Sequence, residues 1–324
     1  MRPAPLARVV RSGLEEAVHL GHVAVCDAHG RLLAWAGDPT TPTFIRSCAK
    51  PVQAAVSLSA IDDPTLTDGD VALMCASHNG EAVHVRVVRS LLRRAGCTSE
   101  DLRTPRARPL DPDAAARVRA PGSVFHNCSG KHAGMLLACT RAGWRRDRYP
   151  SPGHPVQRRV FAAIGELTGE EPVAGVDGCG LPVHGVALRS IATMYARLAE
   201  PSRQGDLAPH VDRALSAMRA APYLVGGRGR DDTAVMQAAP EIVMKQGAEA
   251  LDCAVAPTAG IGVAVKVADG GFRAAGPAMI AVLAELGLIT PSAHRRLGAT
   301  ARPPVHGGGA VVGVLEPVVR LRTR

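Results

Sequence analysis

The chain has 324 residues, of which 46% are hydrophobic, 21% charged and 3% aromatic. That is a globular composition, long enough to bury a core without staples, and it excludes a disordered or fibrous protein. The formal charge of +9 raises an anionic partner, but the arginines are scattered and no zinc-finger spacing or aromatic RNA-binding signature occurs, so no nucleic acid is expected.

In chain order, HVAVCD and LLAWAG flank the turn residues AHGR and predict a β-hairpin from Val23 to about Gly37. A helix starts near Ser47 or Lys50, because Pro51 is tolerated only in or near a first turn. Thr67-Asp68-Gly69-Asp70 has the form of a capping box, and the amphipathic run EAVHVRVVRSLLRRA stops at Gly96. The 101–122 stretch, rich in Pro, Arg and Asp, predicts surface loop with one short helix. Further helices are expected at His132–Ala142, Pro155–Leu167 and Val186–Leu198, and within Leu207–Ala220. EIVMKQG, LDCAVAP and GVAVKVAD then read as strands.

The expected class is α/β: a single domain over 1–324, with a mixed sheet built from both termini (about 9–40 and 241–322) and a helical region of about 47–239 inserted between them. No apolar run reaches the roughly 18–20 residues that cross a bilayer. The N-terminus shows no uninterrupted apolar leader, so the expectation is a soluble, cytoplasmic protein with no membrane partner.

The lysines are informative because they are scarce: Lys50, Lys131, Lys245 and Lys266 stand against 34 arginines. Arginine cannot give up its proton to act as a base, whereas a buried lysine can. Three of the four lysines fall in polar motifs. Ser47-Cys48-Ala49-Lys50 puts a hydroxyl and an amine three residues apart on one helical face, the arrangement that lets a neutral lysine activate a serine. Ser77-His78-Asn79 is a polar turn between two predicted helices. Lys245-Gln246-Gly247 sets a lysine at a strand end beside a small residue that permits close approach. The order SxxK, SxN, KxG is that of serine acyl-transfer enzymes. Cys128 and Cys179 lie in glycine-containing polar turns, HNCSGKH and VDGCG, and two thiolates brought together make a soft site suited to zinc. Cys26, Cys75, Cys139 and Cys253 sit in apolar stretches and read as small core residues.

RSCAKPVQA, LMCASHNGE, HNCSGKHAGML, GVDGCGLP and VGGRGRDDTAVM together resemble the rhizobial-type L-asparaginase family (asparaginase II) from about Val9 to Leu288. The resemblance implies a fold like that of serine β-lactamases and penicillin-binding proteins, and hydrolysis of L-asparagine to L-aspartate and ammonia. It implies two Ser–Lys pairs, Ser47 with Lys50 and Ser77 with Lys245, and a zinc ion (Zn2+) held by Cys128, Lys131 and Cys179. It puts Asp177 near the substrate and implies a homodimer. Asn127 and His132, in the same cysteine loop, are candidate substrate-binding residues, and Arg46 is a candidate partner for the substrate carboxylate. The alternatives are a penicillin-recognising serine hydrolase and, in a different class, a basic nucleic-acid-binding protein with structural zinc. Lys266 carries no expected role.

Overall fold

The computed structural model describes residues 2–323. The chain divides into two compact units. One takes the residues up to Cys48, Val186–Arg203 and everything from Ala234 onward; the other takes Ala49–Gly185 and Gln204–Thr233.

The first unit is built on an antiparallel sheet drawn from both ends of the chain, as the strand-rich termini predict. Its main path runs Pro304–Gly307, Ala310–Pro317, Ala4–Arg11, Leu14–Asp27, Ile261–Val267, Leu251–Ala256, Val243–Gly247. The expected hairpin is present, with Val23 opposite Ala36. Leu14–Asp27 changes character along its length: its first half is largely exposed and Gly21–Cys26 is buried. The buried half lies under the helix Leu188–Arg197, which packs on this strand and on Ile261–Val267. Gly262 makes that approach possible, since a Cβ there would stand 2.0 Å from Ala192 O.

Two expectations are corrected in this region. The segment expected to be helical from Val186 begins as the end of a strand, Pro182–Ala187, and turns helical only at Leu188. The C-terminal stretch expected to be sheet also contains the helix Ala275–Glu285, whose apolar face is buried. A continuous apolar run such as AMIAVLAEL has no polar alternation, so periodicity alone does not separate strand from helix there.

The second unit is mainly helical: α1 (Lys50–Leu58), α2 (Asp68–Met74), α3 (Ala82–Arg94), α4 (Pro112–Ala116), α5 (Ser129–Arg141) and α6 (Pro155–Thr168), followed by the helix Ala208–Ala220. The capping box is formed as predicted: Asp70 N donates to Thr67 Oγ1 and Thr67 N to the Asp70 carboxylate. α3 stops before Gly96, and α6 ends at Gly169, where the backbone is left-handed. Every residue of α1 is buried, because α5, α6 and the helix Ala208–Ala220 all pack on it. α5 also packs against α2 and α3. Two glycines of HNCSGKHAGM permit this closeness: a Cβ at Gly130 would meet Leu73 O at 2.3 Å, and one at Gly134 the Met74 side chain at 2.7 Å. The unit is not wholly helical, since Val173–Val176 pairs antiparallel with Pro182–Gly185. These short, glycine-interrupted segments lack the alternation that marks a strand in sequence.

Candidate active site

In the first unit, Arg46–Ala49 forms a single 3-10 turn, and α1 begins only at Lys50, with Pro51 in its first turn. Arg46 has a φ of 50°, a left-handed conformation that costs a non-glycine residue free energy and so requires support from its surroundings. Part of that support is visible just after it. Cys48 Sγ donates to Lys245 O (3.1 Å) and Leu251 O (3.3 Å), and Tyr195 Oη, fully buried, donates to Cys48 O (2.8 Å). Gly247 clears the space, because a Cβ there would lie 2.9 Å from Cys48 Sγ. Cys48 thus ties the turn bearing Ser47 to the strand bearing Lys245. Ser47 is buried; Lys245 is fully buried, and its Nζ donates to Gln246 O at 2.8 Å. Tyr195 belongs to no sequence motif, and its one signal is that it is the single aromatic residue of the helix Leu188–Arg197. Burial and the Cys48 thiol push the neighbouring Cys253 thiol far up, so it stays protonated.

In the second unit, Lys50 Nζ, fully buried at the start of α1, donates to Ser77 Oγ (2.8 Å) and Ala76 O (2.6 Å). This joins a lysine from one expected Ser–Lys pair to a serine from the other. Ser77 lies in the turn after α2, and that turn is clamped from two sides. Ser77 N and Asn79 N donate to Val225 O and Gly226 O (both 2.9 Å), and His78 N donates to Asn127 O (3.2 Å). The glycine-rich 226–230 segment is fastened outside it: Tyr223 Oη donates to Glu81 (2.6 Å), Arg228 N donates to Glu81 (3.2 Å), and the Arg228 guanidinium reaches Asp113 (2.7 Å). Gly227 has a φ of 115°, and a Cβ there would stand 2.4 Å from Glu81 Oε1, so only glycine suits this closure. In the same run, Asp232 is fully buried and accepts from Thr233 N.

The third cluster is also in the second unit. Cys128, at the N-terminal end of α5, and Cys179, in the turn before Pro182–Ala187, are buried and interact with each other. Cys179, reinforced by the Lys50 and Lys131 charges, holds Cys128 well below the usual thiol range, while Cys179 itself is pushed up. Cys179 Sγ lies 3.3 Å from Asp177 Oδ2, and Lys131 Nζ lies 3.9 Å from the same oxygen. Burial opposes the charge on Lys131, but Cys179, Cys128 and Asp177 outweigh it and raise its pKa. Among the described residues, no three His, Cys, Asp or Glu side chains form a set able to hold a metal. Two adjoining cysteine sulfurs nevertheless suit a soft divalent ion. Lys131 could add a nitrogen only by losing its proton, which the incoming cation would have to displace.

The other expected site residues are placed as follows. Asn127 is half-buried and uses its carbonyl on His78 N. His132 is fully buried, its Nδ1 2.7 Å from Tyr149 Oη, which in turn accepts from Arg103 N. Asp177 caps the hairpin turn, its N donating to Leu181 O and its carbonyl accepting from Gly180 N. Lys266 donates to Glu249 O and Val267 O in the first unit.

No curated protein matches the chain. Among solved structures, it is similar to a β-lactamase from Mycobacterium bovis, at 16% identity over 82% of this chain and 94% of that one, with a TM-score of 0.41. It is also similar to a Bacillus glutaminase, at 12% identity over 83% and 91% of the two chains, with a TM-score of 0.46. No helix among the described residues is long and apolar enough to cross a membrane. The match that decides membership is to the L-asparaginase II family model, which covers residues 7–317. The chain belongs to the L-asparaginase II family and is an amidohydrolase.

Proposed function

We propose that the protein hydrolyses L-asparagine to L-aspartate and ammonia through a covalent β-aspartyl ester. Ser47 Oγ attacks the side-chain amide carbon, and Lys50 takes the hydroxyl proton. The C–N bond then breaks, and the same proton leaves with ammonia. Water hydrolyses the ester, restoring the serine and releasing the second carboxylate. Ser77 and Lys245 relay protons or stabilise the tetrahedral intermediate, and Arg46 receives the substrate α-carboxylate. Cys128, Lys131 and Cys179 would hold a zinc ion, with Asp177 beside them. When bound, zinc supplies a fixed positive charge that orders the two cysteine loops and positions substrate, since serine already supplies the nucleophile. The reading includes a homodimer working in the cytoplasm.

The observation that supports a serine–lysine acyl transfer is the Lys50 Nζ–Ser77 Oγ hydrogen bond of 2.8 Å between two buried groups; Ser47 as the nucleophile rests on the SxxK motif and is what the variants below test. A buried lysine hydrogen-bonded to a serine hydroxyl is the minimum apparatus for a serine acyl transfer without histidine. Ammonia release from asparagine and from glutamine, measured for the wild type, Ser47→Ala and Ser77→Ala, tests it. Ser47→Ala is expected to lose several orders of magnitude in kcat. Near-normal kcat in Ser47→Ala with loss in Ser77→Ala would move the nucleophile to Ser77; activity in both would end the acyl-enzyme scheme.

A further inference from the structure

His78 has no part in the proposed chemistry, yet both of its ring nitrogens are hydrogen-bonded in the second unit's polar core. Its Nδ1 accepts from Gly80 N at 3.0 Å, which leaves the ring proton on Nε2. Nε2 therefore donates to Ser129 Oγ at 2.9 Å, and Ser129 Oγ donates onward to Val124 O at 2.8 Å. Burial, together with the neighbouring His84 and Lys50, lowers the ring's pKa well below the usual range and keeps it in this neutral tautomer. The ring stacks on His84, centroids 5.2 Å apart, so it has little freedom to turn. On the backbone side, His78 N donates to Asn127 O.

These bonds fall on both sides of one residue. Asn127 and Ser129 flank Cys128, and His78 grips both. On its own N-terminal side, His78 is joined directly to Ser77, whose hydroxyl accepts from Lys50. The path from Cys128 to the Lys50–Ser77 pair thus runs through one side chain held by hydrogen bonds of 2.8–3.2 Å.

We propose that His78 is a positioning residue that couples occupancy of the Cys128–Lys131–Cys179 cluster to the Lys50–Ser77 pair, so that a metal ion and the amino-acid ligand each alter the other's affinity. The inference rests on the proposed zinc and substrate sites and adds their linkage. A residue that merely filled space would leave the coupling unchanged when its hydrogen bonds are removed.

Linkage is reciprocal, which makes the test strict. The dissociation constant for Zn2+ is measured on the full chain by competition with a chromophoric chelator, with and without saturating L-aspartate, the product, so that no turnover intervenes. L-Aspartate affinity is measured with and without zinc. In the wild type, each ligand is expected to change the other's affinity by the same factor, about fivefold or more. Ser129→Ala, which removes only the hydroxyl that His78 Nε2 reaches, should bring that factor close to one while both ligands still bind. His78→Ala should do the same, and His78→Gln, which keeps an N–H donor, should restore much of it. Ser129→Ala keeps the test decisive if His78→Ala fails to fold. Zinc and aspartate binding independently in the wild type, or full coupling in Ser129→Ala, would overturn the linkage while leaving the zinc site standing. A wild type that takes up no zinc would remove both.

Discussion

Replacing Gly130 with alanine should weaken the protein even though alanine is the better helix former. Gly130 lies in the first turn of α5, and an added Cβ would stand 2.3 Å from Leu73 O, 2.9 Å from Leu73 Cγ and 3.1 Å from Leu73 C. Two of these three atoms are backbone, so no rotamer change relieves the contact. Restoring ordinary separation needs α2 and α5 to part by about 1 Å, and forced repacking of this kind costs about 1–3 kcal/mol. The alanine recovers only about 1 kcal/mol of helix propensity. The net expectation is a loss of up to about 2 kcal/mol, or a Tm lower by up to a few degrees in a chain of this size. The strain also has a direction. Leu73 O accepts from Ala76 N, and Ala76 O accepts from Lys50 Nζ, so the clash loads the turn that presents Ser77, and kcat should fall along with Tm. Gly165→Ala in α6 is the control, because its nearest neighbours, Glu170 O and Pro172 Cδ, would be at an ordinary 3.5 Å. That variant should gain about 0.4–1 kcal/mol. Thermal unfolding and asparagine turnover of the two variants side by side decide the matter. A Gly130→Ala protein as stable and active as Gly165→Ala would refute the claim that this glycine sets the α2–α5 approach.

Lys50→Arg should be nearly as inactive as Lys50→Ala in the ammonia assay, because arginine keeps the charge but cannot accept the serine proton; substantial activity in the arginine variant would remove Lys50 as the base. The purified wild type should carry about one zinc per chain by elemental analysis. Cys128→Ser and Cys179→Ser should each empty the site, with the double variant little worse, since one shared site is lost either way; full occupancy in both single variants would rule the site out. The metal-free protein should lose stability in mild acid. Burial lowers the His184 pKa to about 4, so the unfolded chain binds a proton that the folded one refuses. Its contribution is therefore constant above about pH 6.5 and is lost as pH falls from there toward 4, by about 3 kcal/mol at most. Denaturant midpoints of the wild type and His184→Gln across that range measure it, and parallel curves would discard His184 as the cause.

The segments legible in the sequence were those whose local chemistry decides their conformation. The Thr67 capping box, the stop at Gly96 and the Val23–Ala36 hairpin each depend on side chains and turns within a few residues, and all are found. The lysine scarcity likewise picked out Lys50, Lys131 and Lys245, all three of them buried, because arginine replaces lysine wherever only a charge is needed. What the sequence could not settle depended on distant partners. Apolar runs without alternation, such as the helix Ala275–Glu285, take their form from what packs against them. The bond from Lys50 to Ser77, the approach of Cys128 and Cys179, and the anchoring of Cys48 by Tyr195 and the Lys245 carbonyl join residues 27 to 197 positions apart. No local signal encodes such pairings. They arise because burial leaves each polar group to find a partner within the fold or to bear the cost of desolvation alone, and which partner is within reach is set by the packing of helices and strands around it.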